Sequence, residues 1–280
     1  MAESNPIMLG LTIADLEFVI EKVRSGILGS ERLQQMVRDD SNFRNALVSD
    51  DKVFNSVVSS DDEELLPISP ALYFNVLLRR ALKDLGQESH TLERSGREVI
   101  VVFDTDEVTD LLSNDCVIEY LADMMTSFTK VESYVTPVRI RQGKWRRVRF
   151  NDMDINSLAK LAATVDESQQ FRYFKRIADV CLFVLGIFPS FAHSSNSDMF
   201  TGTKSPGASR RGRRTAEEYM DIGKQFYRIA GEHRTAHAIG LAEPLHLLRD
   251  NFSVAQKLLN IISDRYMRFS RSQVFDFGSS

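Results

Sequence analysis

The most apolar stretch of the chain is the run FRYFKRIADVCLFVLGIF, from Phe171 to Phe188. In its first half, apolar residues recur every three or four positions with charged residues between them, which is typical of an amphipathic helix. From Val180 onward the polar positions disappear, so such a helix must be covered by protein on every side. A membrane span needs about 20 apolar residues, and this run has roughly half as many before Pro189. The run therefore predicts a buried core helix.

Composition sets the remaining bounds. A chain of 280 residues with 43% hydrophobic residues can bury one large core or two modest ones. The net charge of −4 is too small for a whole-molecule field that attracts nucleic acid or membrane. No signal peptide is expected from MAESNPIMLG, and Cys116 and Cys181 lie in apolar helical patterns typical of buried thiols in a reducing compartment. We therefore expect a cytoplasmic protein with no membrane segment.

Helical spacing and capping residues predict helices over most of the chain. Two similar segments, Asp40–Asp50 and Asp51–Asp62, predict two short helices. Ser69–Pro70 predicts a helix start and Gly86 its end. Later helices are predicted after Thr105 with an interruption at Ser113–Asn114, over Asn151–Val165, after the capping box Thr215–Glu218, and as one final helix from Pro244 to Phe269.

Two segments depart from the helical pattern. Glu98–Asp104 is short and β-branched and predicts a strand. Residues 131–150 alternate around the turn Gln142–Lys144 and predict a β-hairpin. The predicted fold class is mainly α, a multi-helix globular domain with a small β-hairpin and a short strand element. Residues 1–66 are expected to form an N-terminal helical subdomain, and residues 67–280 the main helical domain.

The predicted hairpin is strongly basic, with six cations among the eleven residues 139–149 and no acid. Such close like charges repel, so an acidic surface, a partner or phosphate should balance them. Arginine suits bidentate phosphate binding, and Trp145, the only tryptophan, could either stack on a base or cover the core. The alternative is a solvated hairpin that resists aggregation.

A second basic tract ends the Ser- and Gly-rich segment 192–214, which we expect to be mobile. It is either a binding loop or a tolerated insertion. The residues predicted to contact nucleic acid or another polyanion are Arg139, Arg141, Lys144, Trp145, Arg146, Arg147, Arg149, Arg210, Arg211, Arg213 and Arg214.

Two patterns resemble enzyme motifs. Asp104-x-Asp106 after an apolar strand resembles the first motif of haloacid-dehalogenase-like phosphotransferases, which implies a nucleophile, an acid/base and nearby Mg²⁺. That fold alternates parallel strands with helices, and no such alternation follows Val108. The interpretation we favour is a strand, a turn and a helix that begins at Thr105 or Asp106.

The spacing H-x-x-x-H-x-x-G-x-x-E over His233, His237 and Glu243 is similar to the zinc-binding helix of metzincin-like proteases. Arg234 stands where those enzymes have their general-base glutamate, so a zinc-bound water would not be activated. A structural zinc on these three residues is a weak candidate, and exposed histidines at a helix end are the favoured interpretation. No cofactor and no catalytic residue are predicted.

A further resemblance involves packing residues. The pattern D-x-x-L-F-x-x-G-x-F-P, from Asp179 to Pro189, together with Y-x-x-x-G-x-x-x-Y, from Tyr219 to Tyr227, resembles uncharacterised bacterial helical proteins. It covers a small part of the chain, implies a microbial source and brings no activity with it. Gly223, inside the second pattern, predicts a close approach to a neighbouring helix, for which Phe171–Phe188 is the candidate.

These patterns favour a non-enzymatic intracellular interaction protein that contacts nucleic acid or another polyanion through the basic hairpin and loop. The alternative is a protein-binding adaptor or self-assembling regulator, a homo-oligomer for instance, whose arginines meet acidic protein surfaces. A metal-dependent hydrolase is the least supported hypothesis, because no set of His, Asp, Glu, Ser or Cys has mechanistic spacing.

Overall fold

The computed structural model describes residues 11–23, 35–37, 39–59, 68–88, 90–95, 98–102, 105–129, 133–141, 144–189, 214–267 and Phe275. Within 91–102 and 133–150 it describes the backbone alone. Apart from Arg214, the segment 192–214 lies outside the described residues. The described chain is mainly helical, which confirms the predicted class at that level.

The helices are α1 (Ile13–Val23), α2 (Ser41–Val48), α3 (Asp51–Ser59), α4 (Pro70–Leu85), α5 (Thr105–Leu112), α6 (Asp115–Ser127), α7 (Ile155–Ala162), α8 (Glu167–Ile187), α9 (Ala216–Glu232), α10 (Arg234–Ala238), α11 (Ala242–Asp250) and α12 (Phe252–Arg265). Extended backbone forms β1 (Thr91–Ser95), β2 (Glu98–Val102), β3 (Ser133–Arg141) and β4 (Lys144–Asn151). β1 pairs antiparallel with β2, and β3 with β4. The structure describes the backbone pairing of the hairpin, whereas the packing of its side chains stays a prediction.

The chain groups into two compact units. Unit 1 contains Met1–Thr126 with Asp264–Arg268, and unit 2 contains Ser127–Ser263 with Phe269–Ser280. The predicted N-terminal helical subdomain of residues 1–66 stays a prediction.

In unit 1, local capping sets the helix starts. The Ser69 hydroxyl accepts a hydrogen bond from the Leu72 amide (3.2 Å), with Pro70 in the first turn, and Gly86 ends α4 as predicted. Asp15 is fully buried, and its carboxylate accepts from the Thr12 amide (2.6 Å) and from the Ser69 amide (2.7 Å). This carboxylate therefore ties the start of α1 to the start of α4. The apolar core beside it contains Leu16, Phe18, Val19, Ile20, Val37, Leu47, Val48, Val53, Val57, Leu72 and Val76.

In unit 2, α8 is the predicted core helix. It begins at Glu167, four residues before the predicted start, and its residues from Ile177 to Ile187 are all buried. The ring of Phe183 stacks on Phe128 at a centroid distance of 4.1 Å and meets the edge of Phe275 at 4.9 Å. Within the part of the chain that the structure describes, no helix is both long enough and apolar enough to cross a membrane.

One helix prediction is wrong. The segment from Pro244 to Phe269 is not a single helix, because α11 ends at Asp250 and α12 begins at Phe252. Between them, the Asn251 side-chain amide donates to the Leu247 carbonyl (3.0 Å) beside the Asn251 backbone amide (2.9 Å). A short polar side chain that bonds to the backbone in this way competes with helix continuation.

Candidate functional site

The backbone register of β3 and β4 places the predicted polyanion-binding residues relative to one another. Directly opposite residues in an antiparallel ladder lie on the same face, and so do alternate residues along each strand. The opposite pairs on one face are Val135 with Arg149, Pro137 with Arg147, and Arg139 with Trp145. We call the positions Arg139, Trp145, Arg147 and Arg149 the basic face.

The other face has a different composition. Its opposite pairs are Tyr134 with Phe150, Thr136 with Val148, and Val138 with Arg146, and we call it the apolar face. A register shift between Arg139 and Arg141 breaks the alternation, so Arg141 and Lys144 are assigned to neither face. An antiparallel ladder with one apolar and one charged face is typical of a sheet that covers a core on one side and meets solvent on the other.

Of the second basic tract, Arg214 is described, whereas Arg210, Arg211 and Arg213 lie outside the described residues. The Arg214 guanidinium donates from Nη2 to Asn156 Oδ1 (2.6 Å), just before the start of α9. That start is the predicted capping box, in which Thr215 and Glu218 bond reciprocally. Arg214 therefore contacts α7 through the neutral side-chain amide of Asn156, and no carboxylate takes part in this contact.

The three weak zinc candidates, His233, His237 and Glu243, have different environments in the structure. His233 is the N-cap of α10, where Nδ1 accepts from the Thr235 amide (3.1 Å), so Nε2 carries the proton donated to the Glu167 carbonyl (2.9 Å). Both ring nitrogens of His233 are thus occupied by backbone groups. His237 and Glu243 are exposed, and the described residues contain no group of three or more His, Cys, Asp or Glu side chains able to hold a metal. A zinc site stays a prediction.

Of the two aspartates in the Asp104-x-Asp106 motif, the structure describes one. Asp104 lies outside the described residues, and Asp106 is exposed in the first turn of α5, which begins at Thr105. β2 belongs to a two-stranded antiparallel sheet with β1. This arrangement is consistent with the favoured interpretation of strand, turn and helix.

Unit 2 contains a buried polar network that the sequence did not predict. Asp179 on α8 is 1% exposed, and it accepts from the Tyr227 hydroxyl at Oδ1 (3.0 Å) and from Lys175 Nζ at Oδ2 (2.8 Å). Tyr227 belongs to α9 and is fully buried. Each oxygen of the carboxylate thus has a donor, which is what a buried charge requires. The i,i+4 spacing of Lys175 and Asp179 was a signal for half of it, and the sequence patterns marked Asp179 and Tyr227 as packing residues without indicating the hydrogen bond between them.

Unit 1 holds a second buried polar cluster, on the otherwise apolar inner face of α4. Arg79 is 6% exposed; its Nε donates to Asn75 Oδ1 (2.8 Å) and its Nη1 to Asp115 Oδ1 (2.9 Å). Arg79 Nη2 and Asn75 Nδ2 have no hydrogen-bond partner among the described residues. Both atoms are inaccessible to solvent, so they do not line a space that a ligand could occupy.

Burial perturbs two further groups. Burial raises the pKa of the half-buried Glu119 on α6, against the opposing charges of Arg44 and Arg79. Burial also raises the pKa of the Cys181 thiol on α8 far above its usual range. A buried thiol of this kind is unreactive, in line with the interpretation of Cys181 as a small apolar residue.

No protein-family model matches the chain, and no curated protein or solved structure matches it significantly.

Proposed function

We propose that this protein binds polyanions, nucleic acid in the first place, through the basic face of its β3–β4 hairpin. One observation carries the proposal: the register puts Arg139, Arg147 and Arg149 on the same face of the ladder. Arg147 and Arg149 are alternate positions of β4, about 6.6 Å apart, and Arg139 on β3 is the diagonal neighbour of Arg147 across the ladder, so the three positions form a closely spaced basic group. Such a group attracts the phosphate backbone even when the net charge of the whole chain is slightly negative.

The chemistry of arginine favours phosphate as the balancing group. A guanidinium is always charged and presents paired donors that match two phosphate oxygens. The apolar face would pack inward, which leaves the basic face to solvent and ligand. In this proposal Arg214 and its neighbours in the segment 192–214 add to the electrostatic attraction, and no catalytic step is involved.

The test compares two triple variants of the full chain. In the first, Arg139, Arg147 and Arg149 are changed to glutamine. In the matched control, the exposed residues Lys160, Arg172 and Arg234 are changed to glutamine, which removes the same charge from other parts of unit 2. Binding to a fluorescent duplex is measured by anisotropy across a salt series. We expect the first variant to bind weakly, with a log–log salt slope reduced by about 0.9 for each lost phosphate contact.

The control variant should keep nearly the wild-type slope. Equal losses in both variants would show a response to net charge alone and would refute the assignment to the hairpin. A single change, Arg146→Gln on the apolar face, sharpens the comparison because it removes one hairpin cation outside the basic face.

The alternative, an adaptor or self-assembling regulator, predicts a different result. Wild-type protein that binds no nucleic acid at low salt but sediments as an oligomer, dispersed by the first triple variant, would favour an acidic protein surface as partner.

A further inference from the structure

We propose that the nucleic acid is single-stranded and that Trp145 stacks on one of its bases. This inference rests on the proposed function, because it requires phosphate to lie along the basic face. It assigns a role to the one aromatic residue that the register groups with the arginines.

The position of Trp145 separates the two roles that its sequence context left open. A tryptophan that covers a core belongs on the face with Tyr134, Val148 and Phe150. The register instead sets Trp145 opposite Arg139, on the face that Arg147 and Arg149 share. A large aromatic residue beside several cations on one face is the arrangement with which sequence-tolerant single-strand binders combine base stacking and backbone attraction.

The geometry of the ligand favours a single strand over a duplex. In a duplex the bases stack on each other, so a tryptophan on the surface of a two-stranded ladder finds no free base face. In an extended single strand, bases and phosphates alternate along the chain. On β4 the basic face offers one aromatic position, Trp145, followed at every second residue by two cations, Arg147 and Arg149, so one base could stack while the phosphates on one side of it meet the arginines.

Trp145 is the only tryptophan in the chain, so tryptophan emission, excited selectively over that of the seven tyrosines, reports on this position alone. The full chain is titrated with oligothymidylate of about 20 nucleotides, longer than the roughly 4–16 nucleotides that single-strand binding modules cover. A duplex of equal length is the comparison, and anisotropy of the labelled oligonucleotide measures binding independently. We expect the single strand to quench Trp145 strongly and the duplex to leave its emission nearly unchanged.

Two substitutions separate stacking from attraction. Trp145→Ala should weaken single-strand binding about 5- to 150-fold, with an unchanged salt slope, because stacking releases no counterions. Trp145→Phe keeps an aromatic ring and should recover most of that affinity. Recovery would also show that the hairpin still folds after a change at this position. The triple arginine variant, in contrast, should lower the salt slope.

Several outcomes overturn the inference. Single-strand binding without quenching, or a Trp145→Ala variant with wild-type affinity, would exclude base stacking. Equal losses of single-strand and duplex affinity in Trp145→Ala would assign Trp145 to the hairpin's structure. These results leave the proposed function intact if the triple arginine variant still loses binding. Failure of the wild type to bind either nucleic acid would refute both proposals.

Discussion

The substitution Gly223→Ala tests how tightly α9 packs in unit 2. An ideal Cβ at this position would lie 2.4 Å from Phe252 Cε2, 2.7 Å from Phe252 Cζ and 3.1 Å from Cys181 Cβ. Phe252 and Cys181 are both fully buried, so neither neighbour has free space to move into. Overpacking costs about 1–3 kcal/mol, and alanine returns up to about 1 kcal/mol as a better helix former than glycine. We expect the free energy of unfolding to fall by about 1–2 kcal/mol.

A second substitution makes the prediction specific. Phe252→Leu removes the two ring atoms closest to the added methyl group, leaving the 3.1 Å approach to Cys181 as the tightest contact in the set. In that background Gly223→Ala should cost little or become slightly stabilising. The coupling energy between the two sites should therefore lie within the range of about 0.5–3 kcal/mol seen for residues in contact.

Urea unfolding of the four proteins in this cycle, followed by circular dichroism, gives the coupling directly. The exposed change Gln225→Ala on the same helix serves as a control and should shift the midpoint little. If Gly223→Ala destabilised the protein equally in both backgrounds, the close approach of α9 to Phe252 would be wrong.

Three further predictions use other described contacts. Tyr227→Phe removes the hydroxyl that donates to buried Asp179, and urea unfolding should show a loss of about 1.5–3 kcal/mol; a loss near zero would contradict the buried bond. Burial raises the pKa of Glu119, so the folded chain holds that proton more tightly than the unfolded chain. At neutral pH, where Glu119 is ionised, its burial therefore lowers the free energy of unfolding. Glu119→Gln should therefore raise the urea midpoint at neutral pH, with a gain that vanishes below about pH 4, and a pH-independent gain would refute the burial argument. His233→Ala removes the N-cap of α10 and should lower the thermal midpoint by an amount equivalent to about 1 kcal/mol, whereas exposed His237→Ala should be neutral; a Zn²⁺-dependent rise in the wild type, lost in both variants, would revive the metal site.

Local signals predicted the helix boundaries well. Ser69 with Pro70, the Thr215–Glu218 capping box and the interruption after Leu112 are each set by residues within one turn of the helix end, so the sequence contains the whole cause. The break at Asn251 escaped prediction because the apolar stripe continues through it. There, a single side-chain bond to the Leu247 carbonyl decides the outcome.

The sequence did predict the close approach of Gly223 to the helix that contains Cys181, but it did not predict which polar side chains bond to each other. Tyr227 and Asp179 are 48 positions apart, and only the packing of α9 against α8 brings them together. The candidate site shows the same limit on a smaller scale. Alternation predicted two faces for the hairpin, but the side occupied by Trp145 depends on the register, which the turn and the shift beside Arg141 determine.

The membership of unit 1 has a consequence for synthesis. Its last segment, Asp264–Arg268, follows the rest of the unit by about 140 residues. At about 5–20 residues per second, translation leaves the first part of unit 1 waiting for roughly 7–28 s. Until then the partners of Tyr266, the Asp84 carboxylate (2.9 Å from its hydroxyl) and the Phe54 ring (6.0 Å between centroids), lack their native contact. A ribosome that pauses between the two segments would prolong the exposure of Phe54 to chaperones and proteases.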